Sequence, residues 1–320
     1  MQQDHFPILR SILSPEALVP LLQQAYGLAV SRLQLIKAAI LDTYRVESGD
    51  GATIFRIYPA QRRTFEEIRA ELDFLEFLHG RGIPVSVPLA TESGARTVTL
   101  QAPEGARHAA MFTYAPGREP AGDPHVIRRY GETLARLHAV ARSFESGART
   151  PLDLRFLLDR PLARLQVVPE RRETWLTLRE IAGTIRPHLE ALPATAPAFG
   201  FCHGDVCKAN ARVNGAGDVT LFDFDFCGPG WRAYDVASFL SGEPAAAKAA
   251  FLDGYQSVQT LTEQEVEVIP LFQVAQRIWM LGMRASYLDE WGTMRLTDDF
   301  VDHVLGQIRA TLDSRGLDAI

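Results

Sequence analysis

The sequence offers little that a covalent or metal scaffold could use. Its 320 residues include three cysteines, Cys202, Cys207 and Cys227. An odd number without a CxxC pair argues against a disulfide framework and against a structural zinc site. Cys202, His203 and Cys207 do cluster, so a metal reading stands beside the simpler one, in which thiols next to a buried strand serve as small apolar residues. No apolar run nears the roughly 20 residues of a membrane helix. The start, MQQDHFPILRSILSPEALV, lacks the basic-then-apolar layout of a secretion signal. The expectation is a cytoplasmic protein without a membrane partner. There is also no repeat and no low-complexity tract.

What is present suits a globular chain: 47% hydrophobic and 22% charged residues, at a length comfortable for two lobes. Charge is uneven. Residues 201–320 hold 9 Lys and Arg against 17 Asp and Glu, whereas residues 1–200 hold 24 against 22. An acidic second half argues against nucleic acid as a partner. It suits a cationic substrate, or simply a solvated surface.

Ser14-Pro15-Glu16 reads as a helix start, with the helix running to Tyr26 and ending at Gly27. Strand-like runs follow at 33–39, 44–47 and 53–58, the last two joined by the turn Ser48–Gly51. Residues 62–79 read as a helix with Phe65, Ile68, Leu72, Leu75 and His79 on one stripe. Strands at 85–89, 97–101 and 109–114 precede a break at Pro116-Gly117. Helices then dominate: from Asp123-Pro124 through His138, then 157–165, 172–192, 245–255, 263–291 with Pro270 a candidate break, and 298–312. The strands of this half lie between Phe199 and Phe226. The expected fold is α+β: a β-rich first lobe at 1–114 and a larger, mainly helical one at 115–320.

The chemistry concentrates in HGDVCKANARVNGAGDVTLFDFD, from His203 to Asp225. Gly204 ends a buried strand and puts Asp205 in a loop. The turn-rich Asn214–Asp218 then folds a hairpin that carries Asn210 toward Asp223. Continued strand alternation from Val219 to Phe226 would set Asp223 and Asp225 on one face and three phenylalanines on the other. Carboxylates with an amide oxygen suit Mg²⁺. Asp205 could accept a hydrogen bond from an attacking hydroxyl, the division of labour that phosphoryl transfer requires. Ordinary turn residues are the competing account of the same positions.

At these residues the sequence resembles the aminoglycoside phosphotransferase and choline kinase family, which has a protein-kinase-like fold. The family carries HGD-x₄-N and, after a hairpin, an apolar-D-x-D run. The resemblance implies Asp205 as catalytic base, Asn210 and Asp223 as Mg²⁺ ligands, Asp225 as a further ligand or a structural hydrogen-bonder, and His203 as structural. The stretch Gly228–Ala237 is similar to the family's run ending in Y-D-L-A, which implies that Asp235 braces the catalytic loop. Leu134–His138 matches its LA-x-LH helix. Phe272–Trp291, with Arg277, Trp279 and Gly282, resembles the branch containing stress response kinase A.

In the first lobe the family's phosphate-holding lysine falls at Arg56, an unequal replacement. Its glutamate partner falls at Glu71, with Glu67 the runner-up. The nucleotide loop, Ala38–Tyr44, contains no glycine. The connector Met111–Gly117 would read the adenine edge, chiefly through the Met111 and Thr113 backbone. Lys208 would touch the γ-phosphate or lie on the surface. The resemblance thus implies an ATP- and Mg²⁺-dependent kinase for a hydroxylated small molecule. A Ser/Thr protein kinase and a nucleotide-binding pseudokinase are the alternatives.

Overall fold

The computed structural model describes residues 6, 8–60 and 62–317. The chain divides into two compact units. One runs to Gly117 and takes in Thr220–Phe222; the other holds Arg118–Val219 and the chain from Asp223 onward.

The first unit opens with α1 (Pro15–Tyr26), which Gly27 ends in a left-handed cap with φ 66°. Strands β1 (Val30–Ala38), β2 (Asp42–Ser48) and β3 (Gly51–Ile57) follow, then α2 (Phe65–His79), β4 (Pro88–Leu89), β5 (Val98–Ala102) and β6 (Gly105–Thr113). They form one antiparallel sheet in the order β1-β2-β3-β6-β4, with β5 also on β6. Helix α1 packs Leu18, Leu22 and Tyr26 against Tyr44, Val46, Phe55, Ile57 and Met111. Leu221 joins this unit by donating to Pro84 O (2.9 Å) and accepting from Ser86 N (3.0 Å).

Helix α2 starts three residues later than its apolar periodicity suggests. Thr64 caps it, accepting from Glu67 N at 3.1 Å, while the Glu67 carboxylate accepts from Thr64 N at 2.9 Å. Ile68, Leu72 and Leu75 of the expected stripe are buried, but Phe65 is 40% exposed and His79 is exposed. Only the middle of the stripe faces the sheet.

The second unit is built on α3 (Pro124–Ala141), α4 (Arg160–Gln166, entered through a π turn at Arg155–Asp159) and α5 (Arg172–Glu190). Next come β7 (Phe199–Cys202), β8 (Ala211–Val213), β9 (Val219–Leu221, whose last two residues belong to the first unit), β10 (Gly228–Trp231), α6 (Arg232–Leu240), α7 (Ala245–Gln256), α8 (Glu263–Ala285), the single turn α9 (Leu288–Trp291) and α10 (Asp298–Asp313). Asp123 caps α3 by accepting from His125 N. Helix α8 does not break at Pro270. The carbonyl that loses its partner there belongs to Val266, which is 42% exposed and so on the wet face. The helix ends at Ala285 instead of Trp291. Gly282 has a packing reason: a Cβ there would meet the Pro161 Cα of α4 at 2.3 Å. No helix of the described residues is long and apolar enough to cross a membrane.

Two elements carry no expectation from the sequence. Strand β10 pairs antiparallel with β7, Gly228 opposite Cys202 and Trp231 opposite Phe199. Helix α6 follows it at once, with all nine of its residues buried.

Candidate active site

Strand β7 delivers His203 and Gly204 to a tight loop. Gly204 has φ +87°, and a Cβ on it would meet the Phe226 carbonyl oxygen at 2.3 Å. Both the conformation and the space demand glycine here. Gly204→Ala is expected to cost at least about 2 kcal/mol, lowering the melting temperature by on the order of 5 °C or more. An unchanged melting curve would contradict the packing described.

Asp235, wholly buried in α6, holds this loop. It accepts from His203 N at 2.7 Å, from Gly204 N at 2.8 Å and from His138 Nε2 at 3.0 Å. A carboxylate can only accept, so His138 Nε2 carries a proton. Its Nδ1 lies 2.8 Å from the Tyr255 hydroxyl, which burial keeps protonated by pushing the phenol well up. The brace expected of Asp235 is therefore formed, with His138 as part of it. His203 is fully buried. Its ring lies 4.1 Å from that of Phe224, and its Nδ1 accepts from Asp205 N at 3.3 Å. This is a loop-setting histidine.

Among the described residues, the group whose spacing suits a metal is His138, Cys202 and Asp235. Asp235 is saturated by the contacts above, and burial raises the Cys202 thiol well above its usual range. His138 and Asp235 form a hydrogen-bonded brace, while Cys202 Sγ donates to Gly200 O at 3.7 Å. Cys207 is likewise pushed up to about 12, by burial first and then by Asp205, with Asp223 a smaller contributor. It is no thiolate nucleophile at neutral pH.

The loop brings Asp205 and Asn210 together. Asn210 Nδ2 donates to Asp205 Oδ2 at 2.8 Å and to Asp205 O at 2.9 Å. An ionised carboxylate must face the amide nitrogen, so the amide oxygen is left for another partner. The hairpin of β8 and β9 closes at the expected loop, Asn214 N donating to Asp218 O at 3.1 Å.

Beyond the hairpin the expected alternation fails. Strand β9 stops at Leu221. Asp223 takes φ 66° and ψ 57°, the one positive-φ residue other than glycine among those described, and Phe224–Phe226 form a 3₁₀ turn. Asp223 and Asp225 therefore do not share a strand face. Phe224 turns under His203, and Asp225 is buried at 3% exposure. Asp tolerates the left-handed region better than most residues. Such strain in a non-glycine residue often marks a functional position. Arg149, which no sequence pattern singles out, fastens this turn: Nε donates to Cys227 O at 2.7 Å and Nη2 to Asp225 O.

Asn210 and Asp223 offer an amide oxygen and a carboxylate, hard donors that fit Mg²⁺. Asp225, on the buried side of the turn, fits that set less well. Lys208 forms an ion pair with Glu243 at 2.8 Å.

In the first unit, Arg56 Nη1 meets Glu71 Oε1 at 2.9 Å, and Tyr58 OH donates to Glu71 Oε2 at 3.1 Å. Arg56 is 6% exposed and its guanidinium lies over the Phe112 and Tyr58 rings. Glu71 is its partner in the buried pair, whereas Glu67 caps α2 through one oxygen and lies 3.8 Å from Arg63 Nη1 through the other. Met111 and Thr113 are poorly placed to read a base. The Met111 side chain lies in the core, and its backbone sits between Phe55 on β3 and Leu89 on β4. Thr113 N donates to Val87 O at 2.9 Å, and Thr113 O accepts from Ser86 Oγ at 2.7 Å. Only the later part of the connector, residues 114–117, is outside the sheet.

Comparison with known proteins shows the family and the fold. A protein of Deinococcus radiodurans without assigned function is 38% identical over 307 residues, covering 93% of this chain and 90% of the relative. A homoserine kinase of Polaromonas naphthalenivorans is 29% identical, covering 79% and 83%. The solved amicoumacin kinase hAmiN, in complex with AMP-PNP, Ca²⁺ and Ami, superposes with a TM-score of 0.79 at 18% identity, covering 94% of each chain. Residues 32–267, which span the Arg56–Glu71 pair, the Asp205 loop and the Asp235 brace, match the model of the phosphotransferase enzyme family, and the chain belongs to that family.

Proposed function

We propose that this protein transfers the γ-phosphate of ATP to the hydroxyl of a small, amine-bearing molecule. The observation that carries the reading is the contact between Asp205 and Asn210 on a loop braced by Asp235. In the reaction the alcohol oxygen bonds to the γ-phosphorus, its proton passes to Asp205, the bond from that phosphorus to the bridging oxygen breaks, and ADP leaves. Asn210 and Asp223 would hold Mg²⁺, which when bound neutralises phosphate charge. Asn210 also keeps the Asp205 carboxylate aimed and in its accepting form. Asp225, with its backbone carbonyl held by Arg149, is assigned to shaping the turn that presents Asp223.

Arg56, fixed by Glu71 and Tyr58, is the anchor for nucleotide phosphates. Residues 114–117 take the role of reading the base. Lys208 is a second cation, its position set by Glu243. Replacing Arg56 by Met is expected to raise the KM for ATP by roughly 100-fold, whereas Arg56→Lys stays within about tenfold of wild type. A wild-type KM in Arg56→Met would remove the anchor from the account.

For the acceptor, two observations favour an amine-bearing alcohol: the acidic balance of residues 201–320 and the homoserine kinase among the relatives. Radiolabelled ATP supplied with cell lysate separates this from a protein kinase. Label is expected in small molecules, and label confined to protein bands would reverse the assignment.

A further inference from the structure

The β1–β2 turn, residues 39–41, corresponds in this reading to the segment that covers the nucleotide phosphates. It has no glycine, and none of its residues adopts a positive φ. It lacks the backbone freedom by which a glycine-rich loop folds onto phosphate. Something else has to hold it in place, and the chain ahead of α1 does so.

Arg10 Nη1 donates to the Ala39 carbonyl, and Nη2 meets Asp42 Oδ1. Asp42, at the first position of β2, is completely buried. Its other oxygen takes Arg107 Nη1 at 3.1 Å. Arg107 is also completely buried, and its Nη2 donates to Ser11 O at 2.5 Å, to Ser11 Oγ at 3.2 Å and to Glu104. Glu104, in the β5–β6 turn, accepts from Ser11 N at 3.2 Å and Ser11 Oγ at 2.8 Å. Tyr44 OH donates to Leu13 O at 2.6 Å. Residues 10–13 are thus fastened at each of these points to the end of the sheet that carries the turn.

The charges show which member does more than support the fold. Burial works against the ionised Asp42, and Arg10 and Arg107 both oppose that effect. Arg107 and Glu104 would be enough to tie the segment to the sheet. Among the described residues of this cluster, Arg10 is the one that reaches past Asp42 to a carbonyl of the turn itself.

We propose that the segment at residues 10–13 is a clasp on the β1–β2 turn, with Arg10 and Asp42 as positioning residues that hold the turn ready for nucleotide. Neither touches ATP; they act by fixing a glycine-free backbone before binding, so that ordering it costs less on binding. The proposal rests on the nucleotide reading above.

The test uses Arg10→Gln in the full chain. Arg10 lies at the rim of the cluster, 11% exposed, so the fold should survive its loss. Two readouts are taken. Hydrogen exchange of peptides spanning residues 38–44 is expected to speed up without nucleotide, while peptides from α2 are unchanged. The KM for ATP is expected to rise about tenfold with kcat and the acceptor KM preserved. Arg10→Lys, able to place one compact charge but not to fork between Ala39 O and Asp42, should fall between. Unchanged exchange in residues 38–44 would overturn the clasp. Faster exchange with an unchanged ATP KM would overturn its role in nucleotide binding. A wild-type protein that binds no ATP would sink the nucleotide reading itself, and the exchange experiment would still judge the clasp.

Discussion

Asp205→Asn is expected to lower turnover by roughly 100- to 10,000-fold while leaving nucleotide affinity within a few-fold of wild type. The substitution keeps the size of the side chain and removes its ability to take a proton. It also replaces an acceptor with an amide that can present a donor to Asn210 Nδ2, now 2.8 Å from the carboxylate. Some of the loss will therefore come from a displaced Asn210. The two causes separate by metal dependence. Loss of the base alone leaves the Mg²⁺ requirement unchanged, whereas a displaced Asn210 raises it. ADP release measures turnover, and calorimetric titration of ATP measures binding. A variant that keeps more than a tenth of wild-type turnover would remove Asp205 from the role of base.

The second large effect belongs to a residue that contacts no substrate. Asp235→Ala leaves the His203 and Gly204 amides and the His138 imidazole N–H without their acceptor, all in buried surroundings. Each unsatisfied group costs about 1–3 kcal/mol. With partial relaxation the total reaches about 3–5 kcal/mol, at the severe end for one substitution. Asp235→Asn is more informative because it fills the same space. Both carboxylate oxygens accept backbone N–H groups, and asparagine can match only one of them, turning its NH₂ toward the other donor. It is expected to fold with a lowered melting temperature and to lose about 10- to 100-fold in kcat. The KM for ATP should hardly move, since the loop it deforms carries the base. A wild-type kcat in a folded Asp235→Asn protein would show that the brace does not set the loop.

The loop spacing and the hairpin were legible because their signals are local. Asn214–Asp218 is turn chemistry of a kind that folds in few ways, and the expected closure is present. The reading failed where a local pattern met an exception or was missing. Asp223 breaks the strand alternation by entering the left-handed region, which a period-two reading cannot anticipate. Helix α6 is short and buried on every side, its polar Arg232, Asp235 and Ser238 included, so its pattern does not separate a wet face from a core face. Strand β10, Gly-Pro-Gly-Trp, reads as a turn and is held extended by its pairing with β7 and a bridge to Leu152. Arg149 reaches Asp225 and Cys227 across more than seventy residues of sequence, and nothing near it marks that reach. By contrast, the choice of Glu71 over Glu67 was available in advance. Thr64-x-x-Glu67 is a capping box, which gives Glu67 a local role, whereas Glu71 has no local partner in the sequence and borders the buried stripe.

Asp205, Asn210 and Asp223, proposed as base and metal ligands, lie in a braced loop and turn whose sequence signature is compact. On the proposed phosphate side, Arg56 stands where the family resemblance implies a lysine, and the turn at residues 39–41 has no glycine. Yet Arg56 has acquired the partner that such a cation requires, held at 2.9 Å and flanked by Tyr58.

The most direct test of the central claim is product analysis by phosphorus NMR. The purified protein is incubated with ATP, Mg²⁺ and a panel of amino alcohols, hydroxylated amino acids and amino sugars. A new phosphate monoester is expected on at least one acceptor, with ADP in equal amount, and both are expected to form roughly 100-fold or more slowly with Asp205→Asn. ADP appearing only with free inorganic phosphate, or a monoester formed equally well by Asp205→Asn, would contradict it.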